Sequence, residues 1–337
     1  MQPTTIGLDI AKSVFQVHAV DARGKVVLRK RLARAKVLEF FANLPRCLVG
    51  LEACGGAHHW ARQLIELGHD VRLMPPQYVK SYVKTNKHDP ADAEACCEAV
   101  QRPNMRFVPV KSEAQQATLM LHRVREQLLG QRTATINALR GHMTEFGVVA
   151  AQRNAGMRDL LACVADLEDG RLAHLARELL QTLAAHLRDL EARIGELDGR
   201  LVKAARSDPL ARALGEIPGV GPVIATAFVA TVVDPGAFAS GRHLAASIGL
   251  VPGQHASGGK PRLLGISKRG DGYLRRLLIH GARSVVAVAE GRSGSHWTWI
   301  NQLLARRPFN VVVVALANKL ARIIWAMLAR GEAYRAV

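Results

Sequence analysis

The sequence predicts an α/β N-terminal domain, a long helical, coiled-coil-like middle, and a mainly α C-terminal domain with a helix-hairpin-helix-like turn. Three observations predict this. The first hundred residues alternate short β-rich runs with helical stretches. Two long segments between about residues 112 and 203 carry apolar residues at heptad-like spacing. Beyond residue 207, apolar helical segments are separated by glycine-rich turns. The expected boundaries are 1–110, 111–206 and 207–337.

Composition supports a folded chain with a polyanionic partner. With 337 residues, 49% apolar and 22% charged, there is material for several cores. Lys and Arg number 46 against 28 Asp and Glu, giving a formal charge of +18 and a pI near 10.4. Nucleic acid is the commonest partner of such a surface. The cysteines Cys47, Cys54, Cys96, Cys97 and Cys163 are odd in number and lack paired metal-ligand spacing. They suit reduced thiols of a cytosol better than a disulfide framework. Residues Met1 to Thr5 lack the regions of a signal peptide, so no export is expected. The apolar run from Phe309 to Leu328 is interrupted by Asn310, Asn318, Lys319 and Arg322. These groups would be costly in lipid, so a buried C-terminal helix is expected and a membrane is not.

In chain order, Thr5 to Ile10, Val14 to Val20 and Lys25 to Leu32 read as a meander with a turn at Asp21-Ala22-Arg23-Gly24. A helix from Ala35 to Asn43 follows, then a strand from Cys47 to Leu51 ending at Glu52, a helix from Ala57 to Leu67 and a strand from Val71 to Met74. A short helix around Tyr78 to Val83 precedes one opened by Pro90. This order is that of a mixed sheet flanked by helices.

Four acids stand out in this domain. Asp9 lies in the apolar frame Ile6-Gly7-Leu8-Asp9-Ile10, where a lone carboxylate is expensive to bury without a partner. Glu52 ends an apolar run and precedes the small residues Ala53-Cys54-Gly55-Gly56. Each taken alone also reads as a strand-end residue turned to water. Asp89 suits an N-cap, Pro90 the first helical position and Asp92 the third, so both carboxylates face one helix end. A capping-box variant has the same geometry.

The long helix expected from Ser112 to Phe146 has a seam of Leu121, Val124, Leu128, Thr135 and Leu139. Its partner, between Arg171 and Lys203, spaces Leu183, Leu187, Leu190, Ile194, Leu197 and Leu201 by four and three. The two make either an antiparallel hairpin or a subunit interface. Ile217-Pro218-Gly219-Val220-Gly221-Pro222 resembles a helix-hairpin-helix turn, where Gly219 and Gly221 let backbone N–H groups approach a phosphate. Packing of two helices would use the same glycines. Val251 to Lys260 is polar and glycine-rich and is expected to be an exposed loop. With Lys260, Arg262, Lys268, Arg269, Arg275 and Arg276, it and the helix that follows form the densest basic patch of this domain.

The segments Gly7-Leu8-Asp9-Ile10-Ala11-Lys12, Leu51-Glu52-Ala53-Cys54-Gly55 and Lys84-Thr85-Asn86-Lys87-His88-Asp89-Pro90-Ala91-Asp92-Ala93 resemble the N-terminal domain of DEDD-type insertion-sequence transposases. These bacterial recombinases use a bridge RNA. The resemblance implies a RuvC-like, ribonuclease-H-fold domain with its acidic tetrad on Asp9, Glu52, Asp89 and Asp92. Gly249-Leu250-Val251-Pro252, Ser257-Gly258 and Ser267-Lys268-x-Gly270 are similar to the family's C-terminal domain, which places its nucleophilic serine on Ser257. It further implies a site shared between subunits of a homodimer or homotetramer, DNA and a guide RNA as partners, and a bacterial, nucleoid-associated cytoplasmic protein.

The residue types agree with that chemistry. Converging carboxylates suit Mg²⁺ (or Mn²⁺), a hard ion taking oxygen ligands. Two such ions, about 3.5 to 4 Å apart, stabilise the attacking and leaving oxygens of a phosphodiester displacement. Lys12, Lys84 and Lys87 would offset the acids as DNA approaches. A serine hydroxyl needs a base, a metal or a prepared electrophile, and no triad is legible around Ser257. A phosphoserine link conserves the phosphodiester, as recombination without ATP requires. Two other readings remain: a structure-selective nuclease using the four acids and water, and a non-catalytic nucleic-acid-binding protein.

Overall fold

The computed structural model describes residues 2–84, 89–152, 154–257 and 260–335. It divides into two compact units, Met1–Ala114 and Gln115–Val337.

Among the described residues the first unit builds a five-stranded sheet in the order β3-β2-β1-β4-β5 from β1 (Thr5–Ile10), β2 (Val14–Val20), β3 (Val26–Ala33), β4 (Leu48–Glu52) and β5 (Asp70–Met74). The meander is antiparallel, with Thr5 opposite Val20 and Ile10 opposite Phe15. Its second turn is closed by Asp21, whose Oδ1 accepts from the backbone N–H groups of Arg23 and Lys25. Helix α1 (Val37–Ala42) carries the chain across so that β4 joins parallel to β1, and α2 (Ala57–Glu66) does the same for β5. The five-residue apolar run therefore becomes an inner parallel strand, which needs a crossover rather than a hairpin.

Alternation divides the two faces. Ile6, Leu8, Val49 and Leu51 point to one side and pack with Val37, Phe41, Trp60 and Leu64 of α1 and α2. Gly7, Asp9, Gly50 and Glu52 therefore share the other side. A four-residue α3 (Pro76–Val79) and then α4 (Asp89–Val100) cover that second face, with Cys96, Ala99 and Val100 in a small core with Met74 and Val79. Asp89 stands inside the first turn of α4 rather than ahead of it as an N-cap. Helix ends shift by a residue between conventions, and the preceding His88 lies outside the described residues.

In the second unit α5 (Glu113–Glu145, its first two residues belonging to the first unit) and α7 (His174–Ser207) run antiparallel, the hairpin alternative of the two expected. Arg125 pairs with Asp198 toward one end, and Leu139 and Met143 pack with Leu180 and Leu187 toward the other. The break between them holds α6 (Asn154–Ala165), which closes the second contact. The α7 seam is buried at Leu187, Leu190, Ile194 and Leu201. Val124 leaves the α5 seam, 41% exposed, while His122 is 1% exposed. His122 Nε2 bonds Thr226 Oγ1 at 3.0 Å and its Nδ1 bonds the Tyr273 hydroxyl at 2.9 Å. Burial and the nearby Arg125 push this imidazole down to about 4, so it is neutral and ties α5 to two later helices. An apolar-periodicity reading passes over such a residue.

After α7 come α8 (Pro209–Leu214), α9 (Pro222–Thr231), α10 (Gly241–Ser247), the antiparallel pair β6 (Pro252–Ser257) and β7 (Lys260–Ile266), then α11 (Gly272–Val286), α12 (Ser295–Leu304) and α13 (Phe309–Arg330). One face of α13, including Val312, Leu316, Leu320 and Ile324, lies in the core of this unit. The segment expected as an exposed loop is instead the β6–β7 hairpin. Ser257 pairs with Lys260 in the antiparallel register, and Gly258-Gly259 lie outside the described residues. The polar composition concealed it.

Candidate functional site

The acidic cluster is set by two glycines. Gly7 of β1 and Gly50 of β4 are register partners on adjacent parallel strands. A Cβ on Gly7 would stand 2.0 Å from the Ala93 carbonyl oxygen and 2.4 Å from the Cys97 nitrogen, and one on Gly50 2.6 Å from Val100 Cβ. The bare glycines let the α4 backbone sink onto the sheet. Since Cys97 lies over Gly7, α4 runs antiparallel to β1 and its first turn overhangs the carboxyl ends of β1 and β4. Asp9 is two residues beyond Gly7 and Glu52 two beyond Gly50, so both face that first turn, which carries Asp89 and Asp92. The two Gly-x-acid frames are the signal that sequence reading passed over.

Electrostatics register the convergence. Asp9 is half-buried, and its carboxyl is pushed up to about 6 by burial, then by the charges of Asp92, Asp89 and Glu52. Among the described residues no Lys or Arg forms an ion pair with any of the four. Lys84, expected to offset them, instead donates to Glu94 on the next turn of α4 at 3.3 Å, and Arg29 reaches the same carboxylate at 3.7 Å. Lys12 is exposed just beyond β1, and Lys87 lies outside the described residues. No three His, Cys, Asp or Glu side chains among the described residues are drawn together closely enough to hold an ion as they stand. The donor set is nevertheless all-carboxylate oxygen and carries unbalanced negative charge, which fits a hard divalent cation. Such an ion would have to draw the acids inward.

In the second unit Ser257 ends β6, its side chain and that of Lys260 lying outside what the structure describes. The base of this hairpin is clamped. Ser267 N donates to Val251 O at 2.8 Å, and a Cβ on Gly270 would stand 1.7 Å from Ser247 O. Arg275 Nη1 donates to Ile248 O at 2.9 Å and Arg269 O at 2.8 Å. Arg276 pairs with Glu126 of α5. These two expected nucleic-acid contacts are thus held by protein groups, and Arg262, Lys268 and Arg269 remain as exposed cations. Gly219, at φ +86°, packs on α11, where its Cβ would meet Gly281 O at 2.8 Å. Gly221 has open space beside it.

Comparison with known proteins places both units. A family profile described as a transposase of the DEDD, IS110 type matches residues 6–148, and one described as transposase IS116/IS110/IS902 family matches residues 211–297. A probable family 20 transposase of Pseudomonas aeruginosa is 52% identical over 336 residues, covering 99% of each chain. The transposase for insertion sequence element IS1328 of Yersinia enterocolitica is 41% identical, covering 98% of each. That for IS1111A of Coxiella burnetii is also 41% identical, over 98% of this chain and 91% of its own.

Proposed function

The chain belongs to the IS110 family of DEDD transposases, and from that premise we propose that it cleaves and rejoins DNA through a serine phosphoester, with divalent-metal assistance and a guide RNA. The observation that supports the metal-dependent part is the half-buried Asp9 carboxyl, pushed up to about 6 by burial and then by the charges of Asp92, Asp89 and Glu52. Asp9, Glu52, Asp89 and Asp92 are the ligands in this reading, and Mg²⁺ or Mn²⁺ is the ion. Bound there, the ion supplies charge stabilisation to the oxygens of the scissile phosphate.

The chain's own groups do the rest. Ser257 Oγ attacks phosphorus; the Oγ–P bond forms as the bond from phosphorus to the leaving sugar oxygen breaks. The serine proton passes to a base, and the leaving oxygen takes up a proton. One phosphoester replaces another, so a sugar hydroxyl of a second strand can reverse the step without a nucleotide cofactor. The hairpin presents Ser257 at its end, with the cations Arg262, Lys268 and Arg269 along its length and base to hold the strand backbone. The charge of +18 accommodates two polyanions, DNA and a bridge RNA. A homodimer or homotetramer acting at the bacterial nucleoid, in the cytoplasm, completes the proposal.

Ser257→Ala is the test. Strand joining and the covalent protein–DNA adduct are expected to fall by roughly 10³-fold or more, assayed on a plasmid carrying the element ends. Cleavage continuing at the wild-type rate in this variant would instead make water the nucleophile and the protein a hydrolytic nuclease.

A further inference from the structure

We propose that a cavity of ≈ 650 Å³ between α10, α12 and α13 holds an unpaired stretch of a nucleic-acid strand, its phosphates against Arg242, Lys319 and Arg322 and its bases against Trp299 and Trp325. The inference rests on the transposase reading for the class of ligand and on the cavity for everything else.

The polar residues that interrupt the apolar run of α13 lead to it. Asn318 Nδ2 donates to Leu250 O at 3.1 Å, which fixes α13 against the segment leading into the serine hairpin. Lys319 and Arg322, three residues apart on one helix face, open into the cavity. The opposite face of the helix is the core of the unit. No acidic residue lines the cavity. Among the described residues Arg242, Lys319 and Arg322 form no ion pair, whereas Arg330 at the rim reaches Glu332 at 3.5 Å. The Lys319 ammonium is held below its ordinary range by burial and then by the charge of Arg322.

The walls are fixed and flat. Lys319 Nζ sits 4.5 Å from the centre of the Trp299 ring and Arg330 Cζ 5.6 Å from that of Trp325. Trp325 Nε1 donates to Pro235 O at 3.0 Å, which sets the plane of the indole. Gly241 lets α10 press against α13, since a Cβ there would stand 2.9 Å from Arg322 Cα. Cations interleaved with aromatic rings in a concavity of this volume suit one or two unstacked nucleotides and exclude a double helix.

The test is fluorescence anisotropy of a labelled single strand of about eight nucleotides with wild type, Lys319→Gln/Arg322→Gln and Trp299→Leu, folding being checked by circular dichroism. The double variant is expected to bind roughly 30-fold more weakly, with its salt slope reduced by about 1.4. Trp299→Leu is expected to weaken the strand without altering the salt slope. A free nucleoside monophosphate is expected to compete poorly; competition as potent as that of the strand would overturn the assignment to a strand. Affinity and slope unchanged in the double variant would overturn the site itself, as would a changed oligomer mass by light scattering with binding intact. Wild type that binds no nucleic acid would sink the transposase reading instead.

Discussion

Asp9→Asn is expected to lower strand cleavage by roughly 10³-fold or more while making the metal-free protein more stable at neutral pH. The two effects share a cause. In the folded chain the Asp9 carboxyl titrates at about 6 against an ordinary value of 3.8, because burial and then Asp92, Asp89 and Glu52 oppose its charge. A carboxyl raised on folding favours the folded state least when it is ionised. Stability is therefore lost as pH rises from about 4 through about 6, and the whole penalty stands above that. The bare difference is worth about 3 kcal/mol, which the half-exposure of Asp9 reduces to roughly 1 kcal/mol. Thermal unfolding should thus show the asparagine variant more stable than wild type by about 2 to 4 °C at pH 7.5 and equal to it below pH 4.

Divalent metal supplies the control. Mg²⁺ is expected to raise the midpoint of wild type and to raise that of Asp9→Asn less, because the ion relieves repulsion that the variant has already lost. The half-saturating metal concentration of wild type should climb steeply as pH falls below about 6, where protons compete for Asp9. A variant that is neither more stable nor less active would remove Asp9 from the cluster.

The second large effect comes from a residue with no chemistry. Gly7→Ala places a methyl 2.0 Å from the Ala93 oxygen and 2.4 Å from the Cys97 nitrogen, and both are backbone atoms of α4. No rotamer change relieves that contact, so α4 must lift from the sheet. A loss of about 3 kcal/mol or more is expected, measured by urea unfolding. Whatever folds should cleave at least about 10²-fold more slowly, since Asp89 and Asp92 ride on the displaced helix. Gly50→Ala gives the contrast. Its methyl meets the Val100 side chain at 2.6 Å and the Cys96 carbonyl at 2.9 Å. Adding Val100→Ala should restore part of the stability there, whereas no side-chain truncation should rescue Gly7→Ala. Equal tolerance of alanine at both positions would refute the account of how the acids are aimed.

Much of the first unit was legible because its signals are local. Alternation in Thr5–Ile10 separates Ile6 and Leu8 from Gly7 and Asp9, and the register of β1 with β2 and β4 keeps them apart. The acids of α4 were legible for the same reason, a helix start being written in Asp89-Pro90 itself. Resemblance of short motifs was enough to reach the family.

Partner choice was not legible. Arg275 and Arg276 read as cations for a phosphate, yet they are spent on Ile248 and on Glu126, 27 and 150 residues away. The serine segment read as a loop because its residues are polar and small, and pairing of β6 with β7 made it a hairpin. Gly219 and Gly281 meet only because α11 folds back onto the turn before α9. The sequence by itself determined which segments are strands and helices in the first unit and which family the chain joins. Tertiary structure decided which cations stay free, which glycines serve packing, and how far α4 sinks toward Asp9. A local pattern states what a residue prefers, and only the contacts of distant segments state what is left within its reach.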